Sequence, residues 1–106
     1  LIFLPLTGAF FLFLFVGKTA EEAIRKITSA PAERLRLEGR GRITVGAFAD
    51  LVAFDPDTIE DLATFEAPHR YPAGIPLVIV NGVVTIRDGE QTGRRGGRGI
   101  RGTARV

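Results

Sequence analysis

The pattern of apolar and polar residues divides the chain into four parts. Residues 1–16 are uncharged and almost wholly apolar, and apolar residues at helical spacing follow from Ala20 to Ile27. From Leu51 onward the apolar residues form short blocks bounded by glycine, proline, asparagine and aspartate, which is typical of strands joined by tight turns. The end of the chain is rich in glycine and arginine. We therefore predict an apolar segment at 1–17, a helical segment at 18–40, a β-rich portion at 41–93 and a disordered tail at 94–106.

Two short helices are predicted in the helical segment. Thr19-Ala20-Glu21-Glu22 has the form of a capping box, in which the Thr19 hydroxyl accepts a hydrogen bond from the Glu22 amide. Pro31 fits the first position of a second helix, Pro31–Leu37, because that position needs no backbone donor. Four arginines in and after this helix are predicted to form a solvated face: Arg34, Arg36, Arg40 and Arg42.

The rest of the chain is arranged around Gly41–Asp55. Gly46 is predicted to supply a turn with positive φ, Leu51-Val52-Ala53-Phe54 has the length of a buried strand, and Pro56 ends it. Further along, Asn81-Gly82 separates two β-branched runs and predicts a two-residue type I′ hairpin. The predicted fold class is α+β, with two short N-terminal helices followed by a small antiparallel β-sheet.

The central stretch resembles part of a known enzyme family. Gly41–Asp55 has the pattern G-x-I-x-x-G-x-x-A-D-L-V-x-F-D, which resembles the segment after the catalytic barrel in amidohydrolase-superfamily enzymes. Residues 65–75, with the pattern F-x-x-P-H-x-Y-P-x-G-I, resemble a run in D-aminoacylases, the N-acyl-D-amino-acid deacylases. The resemblance extends over residues 18–98. It implies that the sheet belongs to the amidohydrolase accessory β-sandwich and that the barrel is absent from this chain.

The resemblance implies a zinc-dependent parent enzyme that hydrolyses the amide of N-acyl-D-amino acids, with metal ligands in the barrel that begin at an H-x-H pair. A zinc site that activates water needs several converging N, O or S ligands and one open position. This sequence has one histidine, His69, and no cysteine. We therefore assign no catalytic residue, no metal ligand and no cofactor to this chain, and expect zinc only in the parent. The leading hypothesis is a non-catalytic C-terminal portion of such an enzyme, as a fragment, a truncated product or a decayed gene.

One polar and aromatic cluster, Pro68-His69-Arg70-Tyr71-Pro72, has two prolines that restrict its backbone. A lone histidine in such a loop serves either a structural hydrogen bond or a site. We predict that His69, Arg70 and Tyr71 contact the barrel of the parent enzyme or a partner subunit. Three acidic residues nearby are predicted to be solvated: Glu60, Asp61 and Glu66.

The two ends of the chain leave alternatives open. The net charge is +2, and five of the arginines lie in the tail. Tails of this composition can bind RNA, but this one resembles the ordinary C-terminal end of D-aminoacylases. Nucleic acid is therefore not an expected partner. Residues 1–16 fall short of the ~17–20 apolar residues of a membrane span. A buried or partner-covered segment, a membrane anchor, and a sequence artefact or truncation all stay open there. The alternative function is a small membrane-anchored or assembly protein without catalysis, and a third hypothesis is an RNA-binding tail on a β-domain. We expect the cytoplasm as the compartment, with membrane association as the alternative, and self-association or the barrel domain as the partnership.

Overall fold

The computed structural model describes residues 2–5 and 20–103. Within these ranges the elements are β1 (Ile2–Pro5), α1 (Ala20–Ile27), α2 (Ser29–Arg34), β2 (Leu51–Phe54), β3 (Leu77–Val80), β4 (Val83–Arg87) and β5 (Glu90–Gln91). The five strands form one antiparallel sheet in which each strand lies beside the next one along the chain. The predicted α+β class, with two short helices, a small antiparallel sheet and no barrel, is confirmed for the part of the chain that the structure describes. One strand, β1, precedes the two helices, and the other four follow them.

The first strand comes from the apolar N-terminal segment, whose role the sequence left open. β1 pairs with β2 so that Ile2 lies opposite Phe54 and Pro5 lies opposite Leu51. A proline is tolerated there because β1 is at the edge of the sheet and has only one neighbour. The rest of this segment lies outside the described residues, and so does the predicted Thr19 capping box. None of the helices described here has the length and apolar character needed to cross a membrane.

Helix α1 has the charge distribution that its sequence predicts. Glu21 and Glu22 lie in the first turn and Arg25 and Lys26 in the last. The side-chain charges at both ends therefore interact favourably with the helix dipole. The Arg25 guanidinium donates two hydrogen bonds of 2.8 Å to the Glu22 carboxylate. These bonds are the main cause of a lowered pKa for the Glu22 carboxyl group.

Helix α2 begins and ends earlier than predicted. It begins at Ser29, so Pro31 lies within its first turn, where the missing N–H has no partner inside the helix in any case. It ends at Arg34 because Arg36 takes a left-handed φ of +53°. The Leu37 amide then donates to the Ala32 carbonyl at 2.9 Å and the Arg36 amide to the Glu33 carbonyl at 3.1 Å. This is a Schellman ending with arginine where glycine is usual.

The core lies between α1 and the central strands. Four buried side chains form it, from α1, β2 and β3: Ile27, Val52, Phe54 and Val78. Among the described residues, no large side chain is completely buried. Several large apolar side chains are instead exposed in loops and the tail: Leu35, Ile43, Val45, Phe48, Phe65, Tyr71 and Ile100. The described part of the chain therefore has a thin core and a surface with much apolar area.

The turns follow the sequence closely. Asn81 and Gly82 have φ values of +52° and +78°, as a type I′ turn requires, so the predicted hairpin between β3 and β4 is confirmed. Asp88 and Gly89 repeat this conformation between β4 and β5. Gly46 has the predicted positive φ, at +87°.

The glycine- and arginine-rich tail contains no helix or strand in its described part, residues 94–103. It nevertheless lies against folded elements. Gly96 is so close to the hairpin that an added Cβ would lie 2.2 Å from the Val80 carbonyl oxygen. The Thr103 amide donates to the Arg36 carbonyl at 3.2 Å. Disorder of residues 94–106 in solution stays a prediction, as does the division of the chain into four segments.

Candidate functional site

The loop that contains the polar and aromatic cluster is closed at its base by backbone hydrogen bonds. The Ala73 amide donates to the Glu60 carbonyl at 2.9 Å, and the Glu60 amide donates to the Ala73 carbonyl at 3.2 Å. The base is tied to the sheet because the Asp55 amide, directly after β2, donates to the Gly74 carbonyl at 3.0 Å. Residues 61–72 therefore project from a fixed base at the end of β2.

The three predicted contact residues of this loop are all on the surface. His69, Arg70 and Tyr71 are exposed, and three quarters of the Tyr71 surface is accessible. The Tyr71 hydroxyl accepts a hydrogen bond of 3.1 Å from the Gln91 side-chain amide on β5, which ties the loop to the sheet edge. Phe65, on the same loop, is fully exposed. The loop therefore exposes polar and aromatic side chains that a neighbouring surface could contact. Contact of these side chains with a barrel or partner subunit stays a prediction.

The acidic residues of the loop do not form a metal site. Glu60, Asp61 and Glu66 are exposed, as predicted, and the Asp61 carboxylate accepts a hydrogen bond of 3.0 Å from the Ala63 amide. Among residues 2–5 and 20–103, no three histidine, cysteine, aspartate or glutamate side chains are grouped so that they could hold a metal ion. The residues described here therefore do not fit a zinc centre, and no catalytic step can be derived through one.

A network of polar side chains is arranged around Asp50, directly before β2. Its Oδ1 accepts a hydrogen bond of 2.7 Å from the Asn81 amide, and its Oδ2 accepts one from the Arg40 guanidinium. Arg40 also donates to the Asn81 side-chain oxygen at 3.3 Å. Asp50 therefore joins the loop before β2 to the tip of the β3–β4 hairpin.

Arg40 corrects the prediction of a solvated arginine face. Only 10% of its side chain is exposed, because it lies between Asp50 and the Phe48 ring, whose centroid is 4.2 Å from the guanidinium carbon. A second guanidinium, that of Arg98 in the tail, lies 5.8 Å from the same ring centroid. Arg34, Arg36 and Arg42 are exposed as predicted. No local pattern separates Arg40 from these neighbours, since its partners are distant in sequence.

The sequence pattern of the amidohydrolase family matches residues 17–86, and the chain belongs to that family. This range includes α1, α2 and most of the sheet. Among curated relatives, the D-aminoacylase of Alcaligenes xylosoxydans xylosoxydans is 46% identical over 84 residues, which cover 79% of this chain and 17% of the relative. The N-acyl-D-glutamate deacylase of the same organism is 52% identical over 64 residues, which cover 60% of this chain and 13% of the relative. The resemblance to D-aminoacylases is thereby confirmed.

Solved structures agree with these relatives. A crystal structure of D-aminoacylase superposes with a TM-score of 0.66 at 44% identity, over 70% of this chain and 16% of that protein. The N-acyl-D-glutamate deacylase of Bordetella bronchiseptica, solved with zinc and a phosphonate inhibitor, has a TM-score of 0.61 at 42% identity, over 63% of this chain and 14% of that protein. Zinc is therefore present in the family. The chain spans about a sixth of the length of the relatives that it matches.

Proposed function

We propose that the chain acts as a non-catalytic, C-terminal structural portion of an N-acyl-D-amino-acid deacylase-like amidohydrolase. One combination of observations supports this. The match to the amidohydrolase family includes both helices, β2, β3 and β4 as far as Ile86, yet the described residues hold no group of side chains that could bind the metal. The parent activity that we propose is zinc-dependent hydrolysis of the amide C–N bond of N-acyl-D-amino acids. In it, the metal supplies an activated water, and its ligands lie outside this chain.

The part that this chain would play is to complete a folded body. Its core is thin, and large apolar side chains such as Val45 and Phe65 are fully exposed. Exposed apolar groups of this size gain free energy when a neighbouring surface covers them. We propose that the catalytic part of the parent covers some of them and that His69, Arg70 and Tyr71 contact it or a partner subunit. The cytoplasm is the compartment that we propose, since a chain without cysteine needs no oxidising environment.

A segment exchange tests this proposal. In the Alcaligenes D-aminoacylase, the segment that matches 84 residues of this chain would be replaced by those residues. We expect the chimera to fold, to keep its zinc, and to hydrolyse N-acyl-D-amino acids within about tenfold of the parent rate, because the segment makes no contact in the transition state. A chimera that folds and keeps zinc but loses about a thousandfold in kcat would contradict the proposal, since that loss is typical of a removed catalytic group.

The chimera also tests the loop contact. His69→Ala in the chimera should impair activity or assembly while zinc content stays unchanged. Glu66→Ala is a matched control, because Glu66 is exposed on the same loop but lies outside the predicted contact. Loss of zinc on substitution of His69 would instead identify a metal ligand, and no effect at all would leave His69 with a local structural role only.

The isolated chain provides a second, independent measurement. Purified protein with added zinc should release no amino acid from N-acetyl-D-glutamate or N-acetyl-D-methionine above a matched blank. The absence of a cysteine and the single histidine are the reason, because two or three converging ligands are needed to activate water. Metal-dependent turnover that a chelator removes would refute the non-catalytic assignment.

A further inference from the structure

A cleft rich in arginine lies where the tail returns to the helical segment. It has a volume of about 350 Å³ and is lined by Arg36, Arg40, Phe48, Arg98 and Arg101, with Glu38 as the one acidic side chain of its lining. We call it the basic cleft. Its arginines come from two segments about sixty residues apart in sequence, which is why the sequence alone did not join them.

The fold builds the basic cleft through specific backbone contacts. The left-handed Arg36 turns the chain out of α2, and its carbonyl accepts hydrogen bonds from the Thr103 amide at 3.2 Å and the Thr103 hydroxyl at 3.4 Å. Gly102 permits this approach, because a Cβ there would lie 1.9 Å from the Leu35 carbonyl oxygen. The tail is therefore held where its guanidinium groups and those of the helical segment line one cavity.

The charges of the basic cleft are not balanced within it. Arg40 is paired with Asp50, and Arg36, Arg98 and Arg101 form no ion pair within the described residues. Guanidinium groups bind carboxylates in planar, two-pronged hydrogen bonds, so the cleft suits an anion with several carboxylates. A single-stranded nucleic acid that stacks its bases would in addition need a free aromatic face. The Arg40 guanidinium already lies over the Phe48 ring, 4.2 Å from its centroid. This occupied ring favours side-chain carboxylates over nucleic-acid bases as the ligand of the cleft.

The chain itself carries a segment of the required charge. Residues 55–66 have no basic residue and contain five acidic ones, Asp55, Asp57, Glu60, Asp61 and Glu66. All but Asp55 are exposed, and none of the described ion pairs involves them. This acidic segment begins at the end of β2, whereas the basic cleft lies beside its start, so the two are separated by the length of the strand, about 13 Å at about 3.3 Å per residue.

We propose that the basic cleft binds the acidic segment of a second copy of the chain. The cleft and the acidic segment lie at opposite ends of the same strand. The acidic segment of one copy therefore cannot bind the basic cleft of that same copy while the sheet stays intact. A single contact of this kind joins different surfaces of the two copies and leaves one cleft and one acidic segment free. Two reciprocal contacts close a symmetric dimer, and a contact without a reciprocal one extends into rings or open chains.

Sedimentation velocity of the full chain tests this. At low ionic strength, about 0.01 M, we expect species larger than the monomer, and at about 1 M salt we expect monomer, because screening shortens from about 30 Å to about 3 Å. The triple variant Arg36→Ser, Arg98→Ser and Arg101→Ser should associate at least about tenfold more weakly than the natural chain. The control variant Arg87→Ser, Arg94→Ser and Arg95→Ser makes the same change in net charge at exposed sites outside the cleft, and should associate as the natural chain does.

Reversing the charges of the basic cleft and of the acidic segment in two separate variants is the most discriminating test. One variant carries glutamate at Arg36, Arg98 and Arg101, and the other carries arginine at Asp57, Glu60 and Glu66. Each alone should be monomeric at low salt, whereas the mixture should associate, because each reversed surface then meets its complement. A natural chain that is monomeric at low salt would overturn the proposal, and so would association that resists salt or is lost equally in the control variant. Binding of oligouridylate that needs the three cleft arginines, without self-association, would also overturn it and would identify RNA as the occupant.

Discussion

Replacing Asp50 by alanine should strongly destabilise the fold. The Asp50 side chain is 16% exposed and that of Arg40 is 10% exposed, so the ion pair is largely buried. Alanine at this position leaves the Arg40 guanidinium without its carboxylate and removes the acceptor that lies 2.7 Å from the Asn81 amide.

The magnitude follows from what remains after the substitution. Breaking a buried ion pair on one side costs about 3–5 kcal/mol, because the surviving charge stays desolvated. Arg40 would keep the Asn81 side-chain oxygen at 3.3 Å and the Phe48 ring at 4.2 Å, which offset part of this loss. We therefore expect about 3 kcal/mol of lost unfolding free energy. With a urea slope of about 1–1.5 kcal/mol per molar, typical of small domains, the midpoint should fall by about 2–3 M.

Urea unfolding followed by circular dichroism measures this loss. Asp50→Asn is the matched control, because it keeps an oxygen acceptor for the Asn81 amide while removing the charge, and it should cost about half as much. A double-mutant cycle with Arg40→Met should show a coupling free energy above about 1 kcal/mol. Additive single substitutions, or a loss below about 1 kcal/mol for Asp50→Ala, would refute the buried ion pair as the link between β2 and the hairpin.

Three further predictions concern turns and a helix charge pair. Gly82→Ala should cost about 1–2 kcal/mol, because the residue has a φ of +78° but open space around an added Cβ. Gly74→Ala should cost more, about 3 kcal/mol or above. Its φ is similar, at +80°, but its Cβ would lie 2.5 Å from the Ile59 Cα. Equal losses of unfolding free energy for the two variants in urea would rule out that clash. The lowered pKa of Glu22 means that ionisation of its carboxyl group stabilises the folded state. This contribution to the unfolding free energy is complete above the unfolded-state pKa of about 4.3, and it disappears as pH falls through the folded-state pKa. Arg25→Ala should raise the Glu22 pKa in an NMR titration, and an unchanged pKa would exclude Arg25 as its cause.

Local sequence signals predicted most of the fold. The β3–β4 hairpin could be predicted because Asn81-Gly82 has few other conformations between two β-branched runs. The end of α2 could not be, because an arginine at the left-handed position of a Schellman ending carries no local signal. Long-range contacts decide such positions, and residue type alone does not show them.

The same distinction applies to the sites. The exposed His69 loop was found because prolines and an aromatic residue mark it within one short run. The buried Arg40 and the basic cleft were not found, since both depend on contacts between residues far apart in the chain. Among four neighbouring arginines, only the partner supplied by the fold separates the buried one from the solvated ones.

The order of strands in the sheet has a consequence for how the chain folds. β3, β4 and β5 are joined by two-residue turns, so their pairing requires closure of very short loops, whereas β1 meets β2 only after the intervening forty-five residues have been enclosed. Closing that long loop costs about 2 kcal/mol more chain entropy than closing a short hairpin. The β3–β4 hairpin is thus the natural nucleus, and β1 adds last and separates first. Amide hydrogen exchange should therefore be slowest in β3 and β4 and fastest in β1, with β2 between them although it also has a neighbouring strand on each side.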